Sequence, residues 1–385
     1  MVDYLETQNA VAAICDFSPL RHVRDWFENQ TANLLKDIPL YQIDAHNIVP
    51  VWHTSPKREV GARTLRPKIH KVLSDFMTDF HDLEQNTNIP SSNDACTEPD
   101  WKACENYLKL DEAVVSVCDI NPPGADAGMK RFQSFINGKI HGLRDFDTSR
   151  NDPNFSDVCS NMSPYINHGQ VSFQRLALST RALKRHPNGT AAFIEEGIIR
   201  RELSDNYIYY TPQHYDSLLG AAEWARDSLQ LHASDSREYL YTTSQLEQSM
   251  THDDLWNAAQ LQLVQDGTMH GFLRMYWAKK ILEWTASPEL ALRTGLYFND
   301  RYALDGNDPN GFVGVAWSVM GIHDMGWKER AIFGKIRFMN YAGCKRKFKI
   351  APFVARYPPA AKNALKAGGV IAEFTKPRGG KKRKT

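Results

Sequence analysis

The chain contains no Walker A loop, no nucleophile elbow, no HExxH pair and no GxGxxG turn. P-loop phosphoryl transfer, α/β-hydrolase chemistry, zincin chemistry and a Rossmann dinucleotide loop therefore lack their anchor residues. Cysteine is sparse and scattered: Cys15, Cys96, Cys104, Cys118, Cys159 and Cys344 form no CxxC pair and have no histidine-rich companion. That excludes a zinc ribbon and a disulfide scaffold, and leaves free thiols in a reducing compartment. Asp3 and Glu6 stand where a secretory leader carries its basic residues, so no leader is expected. The longest apolar run, Gly311 to Ile322, is shorter than the roughly 20 residues a bilayer requires, so no membrane partner is expected and the protein is expected to be intracellular. Acids are nearly missing from Met325 onward, where 17 Lys/Arg meet only Glu329 and Glu373. With a net charge of +1 for the whole chain, the rest must be strongly acidic. Such segregation points to a polyanionic partner, nucleic acid first.

What is abundant is aromatic: 11% of the 385 residues, nine of them tryptophan. The densest stretch is Met269 to Trp284, which sets Trp277 and Trp284 two helical turns apart on one face, with Arg274, Met275 and Tyr276 beside the first. Indoles alternating with cations suit a flat aromatic ligand or the movement of electrons better than an ordinary aliphatic core. The plain alternative is that Trp256, Trp277 and Trp284 are simply buried.

The length allows two domains. Val11–Cys15 reads as a buried strand, Ser18-Pro19 as the opening of a helix to about Leu35, and Leu40–Asp44 as a second strand. This single β-α-β unit predicts a partial parallel α/β domain over 1–84, as though the chain entered such a domain partway. Residues 85–124, rich in Asn, Ser, Pro and Asp at their start, read as a linker, and 125–360 as a large all-helical domain. Helix starts are marked by Ser163-Pro164, with the helix running to about Lys184, by Ser287-Pro288, and by Thr251-x-x-Asp254, which approximates a capping box. The basic stretch 361–385 is expected to be a disordered tail.

Four segments have residues suited to chemistry. Ser160-Asn161-Met162-Ser163 lies at a helix start, where free N–H groups and small polar side chains suit a phosphate, although Ser-Pro often only caps. Glu195 to Leu203 mixes carboxylates and arginines; it is either a solvated helix face with i,i+4 pairs such as Glu196–Arg200, or it aims one carboxylate into a cavity. Asn299 to Gly311 is dense in Asp, Asn and Gly but lacks the EF-hand spacing and closing Glu, leaving a polar loop or one that presents carboxylates to a ribose or heterocycle. Lys335, Arg337 and Lys345 to Lys349 suit phosphate contacts.

Taken in order, these pieces resemble the class II cyclobutane pyrimidine dimer photolyases from Val11 to about Ile350. The matching stretches are Asp16–Arg21, Asp44–Pro50, Gly61–Thr64, Ser163–Tyr165, Arg200–Leu203 and Asp254–Ala258. Longer ones are Met269–Trp284, Asn299–Tyr302, Asp305–Gly311 and Gly334–Phe348. The resemblance implies a partial N-terminal Rossmann-like α/β domain followed by an all-helical domain that binds FAD. It implies UV-damaged DNA as partner, with a pyrimidine dimer flipped out of the duplex and split by an electron from excited reduced flavin. By the same resemblance Ser160, Asn161, Met162 and Ser163 hold the FAD phosphates, while Arg274, Asn299, Asp305 and Asp308 contact the flavin and its linker. Asn299 lies near the flavin N5 and favours its partly or fully reduced forms. Glu196 hydrogen-bonds the dimer, Met275 and Trp317 pack on its two bases, and Arg150 and Asn151 touch it from the other side. Trp277, Trp256 and Trp284 relay electrons from the surface, and Lys335, Arg337, Lys345 and Arg346 grip phosphates.

The chain departs from the family at two points. Phe146 stands where tyrosine is usual, removing one hydrogen bond to the FAD phosphates. Family members also begin with roughly a hundred further residues, on the scale of a small domain, so the antenna chromophore site is expected to be incomplete. The resemblance also implies a monomer, and the basic tail suits a nuclear address or an extra DNA arm. A flavin photoreceptor that signals without repair is the alternative from another class; the joint presence of Glu196, Met275 and Trp317 weighs against it. A DNA-binding remnant without flavin is a third reading.

Overall fold

Gly271–Trp284 carries apolar or aromatic residues on every side, with Arg274, Lys279, Lys280 and Glu283 interspersed, and its Leu273, Tyr276, Trp277, Ala278, Ile281, Leu282 and Trp284 are all buried. A helix of that composition has no face to give to water and so becomes the centre of a core. In the computed structural model it packs against Asp254–Asp266, Pro288–Tyr302 and Pro309–Met320. The structure describes residues 2–369 except 33–34, 36, 83–98, 110, 112, 115 and 139–140. The expected linker lies partly, and the basic run Lys376 to Lys384 wholly, outside the described residues.

Each helix around the centre starts on a side chain that accepts an otherwise orphaned backbone N–H. Ser287 accepts from Leu290 at 3.2 Å. Asp308 accepts from Asn310 at 2.8 Å. Asp253 accepts from Trp256 at 2.8 Å, so Asp253 and not Thr251 caps that helix. Thr251 is turned instead to the Asn257 amide oxygen at 2.7 Å. The helix 254–266 is covered on its far side by Pro359–Lys366, whose Ala360 and Ala364 are fully buried. The helical core thus extends past residue 361, where composition alone predicts a tail.

A second apolar cluster lies beside the first. Phe132, Phe135 and Ile136 of Ala125–Asn137 meet Phe146, Phe173, Leu176 and Phe193. Ile48, Val49, Leu65 and Ile69 belong to this same cluster, so Ala62–Phe76 packs into the helical region and not onto a separate sheet. The sheet comprises two parallel strands, Ala13–Asp16 and Leu40–Ile43, in register from Ala13–Leu40 to Asp16–Ile43. Alternation leaves Ile14, Tyr41 and Ile43 on its exposed face. Between the strands, the helix that opens at Arg21 ends at Asp25 and passes into a π-turn, Trp26–Thr31. Another helix, Trp101–Leu108, falls within the stretch read as linker.

Two irregularities place the site. The helix expected from Ser163 to about Lys184 is two helices, Ser163–Asn167 and Phe173–Ala182. Gly169 breaks it with φ +65, a conformation that ends a helix at little cost for glycine. Glu195–Arg200 is a π-turn between the α-helices Pro187–Ile194 and Arg201–Tyr209.

Ser287→Ala should lower stability by about 1 kcal/mol through loss of the cap on the helix that carries Asn299. Urea denaturation would show a lower midpoint at unchanged slope, and Ser287→Asp should restore it.

Candidate functional site

Arg274 is the cation of the central helix around which polar groups gather. Its guanidinium donates to Asp305 at 2.6 Å and to the Asn299 side-chain oxygen at 3.3 Å, and its Nε donates to the Met269 carbonyl at 3.1 Å. Burial alone would raise the Asp305 carboxyl, but Arg274, helped by a hydrogen bond from Ser163, holds it below the ordinary carboxylate value. Gly311 faces Asn299 so closely that a methyl group there would stand 2.5 Å from the Asn299 amide nitrogen. Arg274, Asp305 and Gly311 form one wall of a cavity of about 240 Å³.

The other walls come from the broken helices. Ser160, Met162 and Ser163 line one end, where no side chain caps the turn that follows. Phe146, Phe173 and Phe193 supply an apolar side, with ring centroids 5.3 Å apart for Phe173–Phe193 and 5.9 Å for Phe146–Phe193. The π-turn presents Glu196 and Gly197. A π-turn spends one more residue per turn than an α-helix, and such insertions recur at functional sites. It also re-pairs the charges. Arg200 reaches Glu195 at 3.3 Å, five residues back, and Arg66 holds the same carboxylate at 2.6 Å. Glu196, paired by simple helical spacing with Arg200, instead accepts from Arg150 at 3.1 Å.

Behind the Asp308 side lies a buried charge cluster. His46 sits 3.5 Å from Asp205 and 3.8 Å from Asp308, while Arg201 donates to the His46 ring at 2.8 Å. Burial pushes the His46 proton affinity down, and the two carboxylates more than offset it, so the net shift is upward. Asp308, by contrast, is raised, because burial outweighs His46 and Arg201. Glu202 is fully enclosed, and burial pushes its carboxyl up to about 8 even though it accepts the Ile48 and Val49 N–H groups at 2.8 and 3.3 Å.

Trp317 and Met275 are half-buried, and Trp317 lies between two cations, Lys279 Nζ at 4.7 Å and the Arg337 guanidinium at 5.5 Å. Lys279 is completely enclosed, donates to the Ser318 carbonyl at 3.0 Å, and is pushed down to about 7 by burial.

The three tryptophans form a connected set. The Trp256 indole donates to the Trp277 carbonyl at 3.0 Å, the Trp277 indole donates to Gln260 at 2.8 Å, and the Trp256 and Trp284 rings are 5.8 Å apart. None reaches the surface. Trp284 is only 2% exposed and is covered by His252 and Tyr241, whose ring centroids lie 4.9 and 5.7 Å away.

The expected site residues therefore separate into groups. Ser160, Met162, Ser163, Glu196, Arg274, Asp305 and Asp308 line one cavity, and Asn299 stands immediately behind it. Asn161 does not join them: it is exposed, has φ +52, and its amide is tied to the Ser156 and Cys159 carbonyls at 3.1 and 3.3 Å. Arg150 touches Glu196, whereas Asn151 is exposed. Lys335, Lys345 and Arg346 are exposed; Arg337 is bound to Asp324 at 2.8 Å. Sequence reasoning missed Arg66, Phe173, Phe193, Arg201, His46 and Lys279. The Asp44–Pro50 and Arg200–Leu203 matches held two of them, but neither motif reveals that they meet.

The fold is that of a photolyase. A bacterial class III photolyase from Agrobacterium tumefaciens superposes with a TM-score of 0.65 at 16% identity, over 96% of this chain and 76% of that one. Scanned against models of protein families, the chain matches none. It is 49% identical to the deoxyribodipyrimidine photo-lyase of Potorous tridactylus over 93% of its own length and 66% of that protein. It is 46% identical to the enzyme of that name from Oryza sativa subsp. japonica, over 90% of its own length and 69% of the relative. The chain belongs to the deoxyribodipyrimidine photo-lyase family and spans about two thirds of the length of these relatives.

The enclosed Glu202 yields a pH prediction. Its ordinary value is 4.5 and its folded value about 8, so the folded chain keeps a proton that the unfolded chain releases. Stability should therefore fall as pH rises from 4.5 through about 8. Glu202→Gln can still accept the two N–H groups and should remove that fall, gaining on the order of a few kcal/mol over the parent at alkaline pH. Equal slopes of unfolding free energy against pH in the two proteins would assign the proton elsewhere.

Proposed function

We propose that this chain is a light-driven DNA repair lyase of the class II type, which splits cyclobutane pyrimidine dimers with the help of FAD. The observation that carries the reading is the cavity in which Arg274, Asp305 and Asp308 face Glu196 across an apolar side of Phe146, Phe173 and Phe193. Those walls fit the cofactor: a flat ring system matches the aromatic side and the closely approached Gly311, and a charged linker matches Arg274, Ser160 and Ser163. When bound and reduced, FAD excited by near-UV or blue light supplies an electron to the dimer and recovers it once the ring has split.

The chain's own residues position and stabilise. Ser160 and Ser163 hold the phosphates at the turn opening Ser163–Asn167, with Met162 packed beneath. Arg274, fixed by Asp305, would hold a positive charge toward the bound cofactor, and Asn299, fixed by Arg274 and Asp300, would contact the flavin and favour its reduced forms. Asp308 holds the sugar side while capping its helix. Glu196 hydrogen-bonds the dimer, and Arg150 orients it for that contact. Trp317 and Met275 offer apolar surface to the two bases. Trp277, Trp256 and Trp284 would pass electrons inward from an external thiol reductant to the bound cofactor. Lys335, Arg337, Lys345 and Arg346 meet the DNA backbone, so affinity falls steeply with salt. The chain acts as a monomer on one lesion, and the basic run Lys376 to Lys384 serves as a further DNA arm or a nuclear address.

The direct test is an oligonucleotide with one thymine dimer, incubated with purified protein under blue light and in darkness. Repair in the light alone is expected; a flavin-loaded sample that repairs nothing would overturn the reading. Glu196→Ala should keep FAD and DNA binding while losing most of the repair yield per absorbed photon, a loss of about tenfold or more for one transition-state hydrogen bond. Trp277→Phe should abolish light-driven reduction of the oxidised cofactor and leave repair intact once the flavin is reduced with dithionite. Failure of repair in that chemically reduced sample would make Trp277 a packing residue.

A further inference from the structure

The stretch Trp327 to Arg337 folds back on itself. Arg330 and Gly334 exchange backbone hydrogen bonds at 2.9 and 2.8 Å, and the Trp327 N–H reaches the Lys335 carbonyl at 2.8 Å. Trp327, Lys328, Arg330 and Lys335 stand exposed on it, and the Arg337 guanidinium lies 4.2 Å from the Trp327 ring. This hairpin is cationic and aromatic, and Arg337 links it to Trp317.

Its tip is held against backbone preference. Ile332 is β-branched and buried, yet has φ +66, a region such side chains avoid. Gly334 has φ +52 and approaches the helix Glu223–Leu231 so closely that a methyl group there would stand 2.0 Å from the Ser228 hydroxyl oxygen. A strained tip persists only if the surroundings fix it. Ser228 Oγ accepts the Lys335 N–H at 2.6 Å, and an Asp235 oxygen accepts the Ile332 N–H at 2.8 Å. That same Asp235 oxygen is 2.6 Å from His232 Nδ1, and His232 Nε2 is 3.2 Å from Glu329 on the hairpin itself.

We propose that His232, as an imidazolium bridging Asp235 and Glu329, is a positioning residue that clamps this hairpin in its DNA-binding posture. The proposal rests on the DNA-repair reading above. A neutral imidazole has a single N–H and can donate to only one of two carboxylates; the cation donates to both. His232 also follows directly on the helix Glu223–Leu231, where the helix dipole favours positive charge. The charged groups that act on it are Asp235 from its own turn and Glu329 from the hairpin, with Arg237 acting in turn on Asp235. The hydrogen bond to Asp235 is the largest effect on His232 and raises it; burial, the next, lowers it, and the hydrogen bond to Glu329 adds to the net shift above its ordinary 6.5. The clamp is therefore complete below that value and lost as pH rises through the raised one. Above it, one carboxylate faces a lone pair and the hairpin loses a tether.

The experiment is fluorescence anisotropy of a dimer-containing duplex and its undamaged counterpart, from about pH 6 to about pH 9 at fixed salt. The parent protein should lose affinity for the dimer duplex by about tenfold across that range, the scale of one charge-assisted contact. His232→Arg keeps a permanent cation with donors for both carboxylates and should flatten the profile. His232→Gln should bind at the weakened level already at the acidic end, whereas Glu329→Gln, whose amide can accept from the cation and donate to the neutral ring, should flatten the profile as His232→Arg does. Parallel profiles in the parent and His232→Arg, or parent-like acidic binding by His232→Gln, would overturn the clamp while leaving repair untouched. No preference for the dimer duplex in any protein at any pH would overturn the repair reading and the clamp together.

Discussion

A charge enclosed by apolar helices must be neutralised where it stands, and the Arg274–Asp305 pair is where this structure meets that demand. Arg274 leaves the central helix, Asp305 comes from the turn after Pro288–Tyr302, and Asn299 on that helix closes the triangle. One interaction thus ties two helices and a loop together and forms the polar wall of the cavity. Both side chains are only partly buried, so breaking the pair would leave a charge that the cavity can still hydrate in part. The same pairing holds the Asp305 carboxyl below its ordinary value in a place where burial alone would raise it. Stability and chemistry therefore draw on the same two side chains.

The second half of the site depends on backbone more than on charge. Gly169 turns the chain after Ser163–Asn167 and brings Phe173 under the cavity. Phe173 in turn packs on Gly197, where any larger residue would collide with its ring at 1.8 Å. The π-turn, the broken helix and the aromatic side are in this sense one feature: each needs the other two. His46 and Arg201 extend it toward Asp308, so the loop Asp44–Pro50 is held by the helix Arg201–Tyr209 through buried ionic contacts. This is why residues near the N-terminus share a core with the helical region.

Much of this was legible in the sequence because it is local. The helix start at Ser287-Pro288 and the helix Gly271–Trp284, with Trp277 and Trp284 on one face, follow from spacing and residue type. Family resemblance brought Ser160, Glu196, Arg274 and Asp305 into one site, and the structure places them around one cavity. The losses came where one residue of register or one tertiary partner decides. An i,i+4 reading pairs Glu196 with Arg200; the π-turn shifts the pairing to Glu195 and releases Glu196 to Arg150. Asn161 looks like its neighbours in the row Ser160 to Ser163, yet a left-handed φ turns it outward. Thr251 has a capping pattern, but Asn257 captures it first. Lys279 sits in a helix rich in cations, and nothing in its spacing reveals that it alone is completely enclosed beneath Trp317.

The π-turn Glu195–Arg200 also bears on how this gene can drift. The π-turn already holds one residue beyond the α-helical count, so removing one from this stretch would close it to a regular α-helix and draw its bulged residues back into the ladder. Glu196 and Gly197 would leave the cavity wall together, Phe173 would lose its seat, and no point substitution could restore either. The number of residues between Phe193 and Arg201 is therefore as much a part of the site as their identities. In this segment it is the reading length, one codon more or less, that selection has to guard.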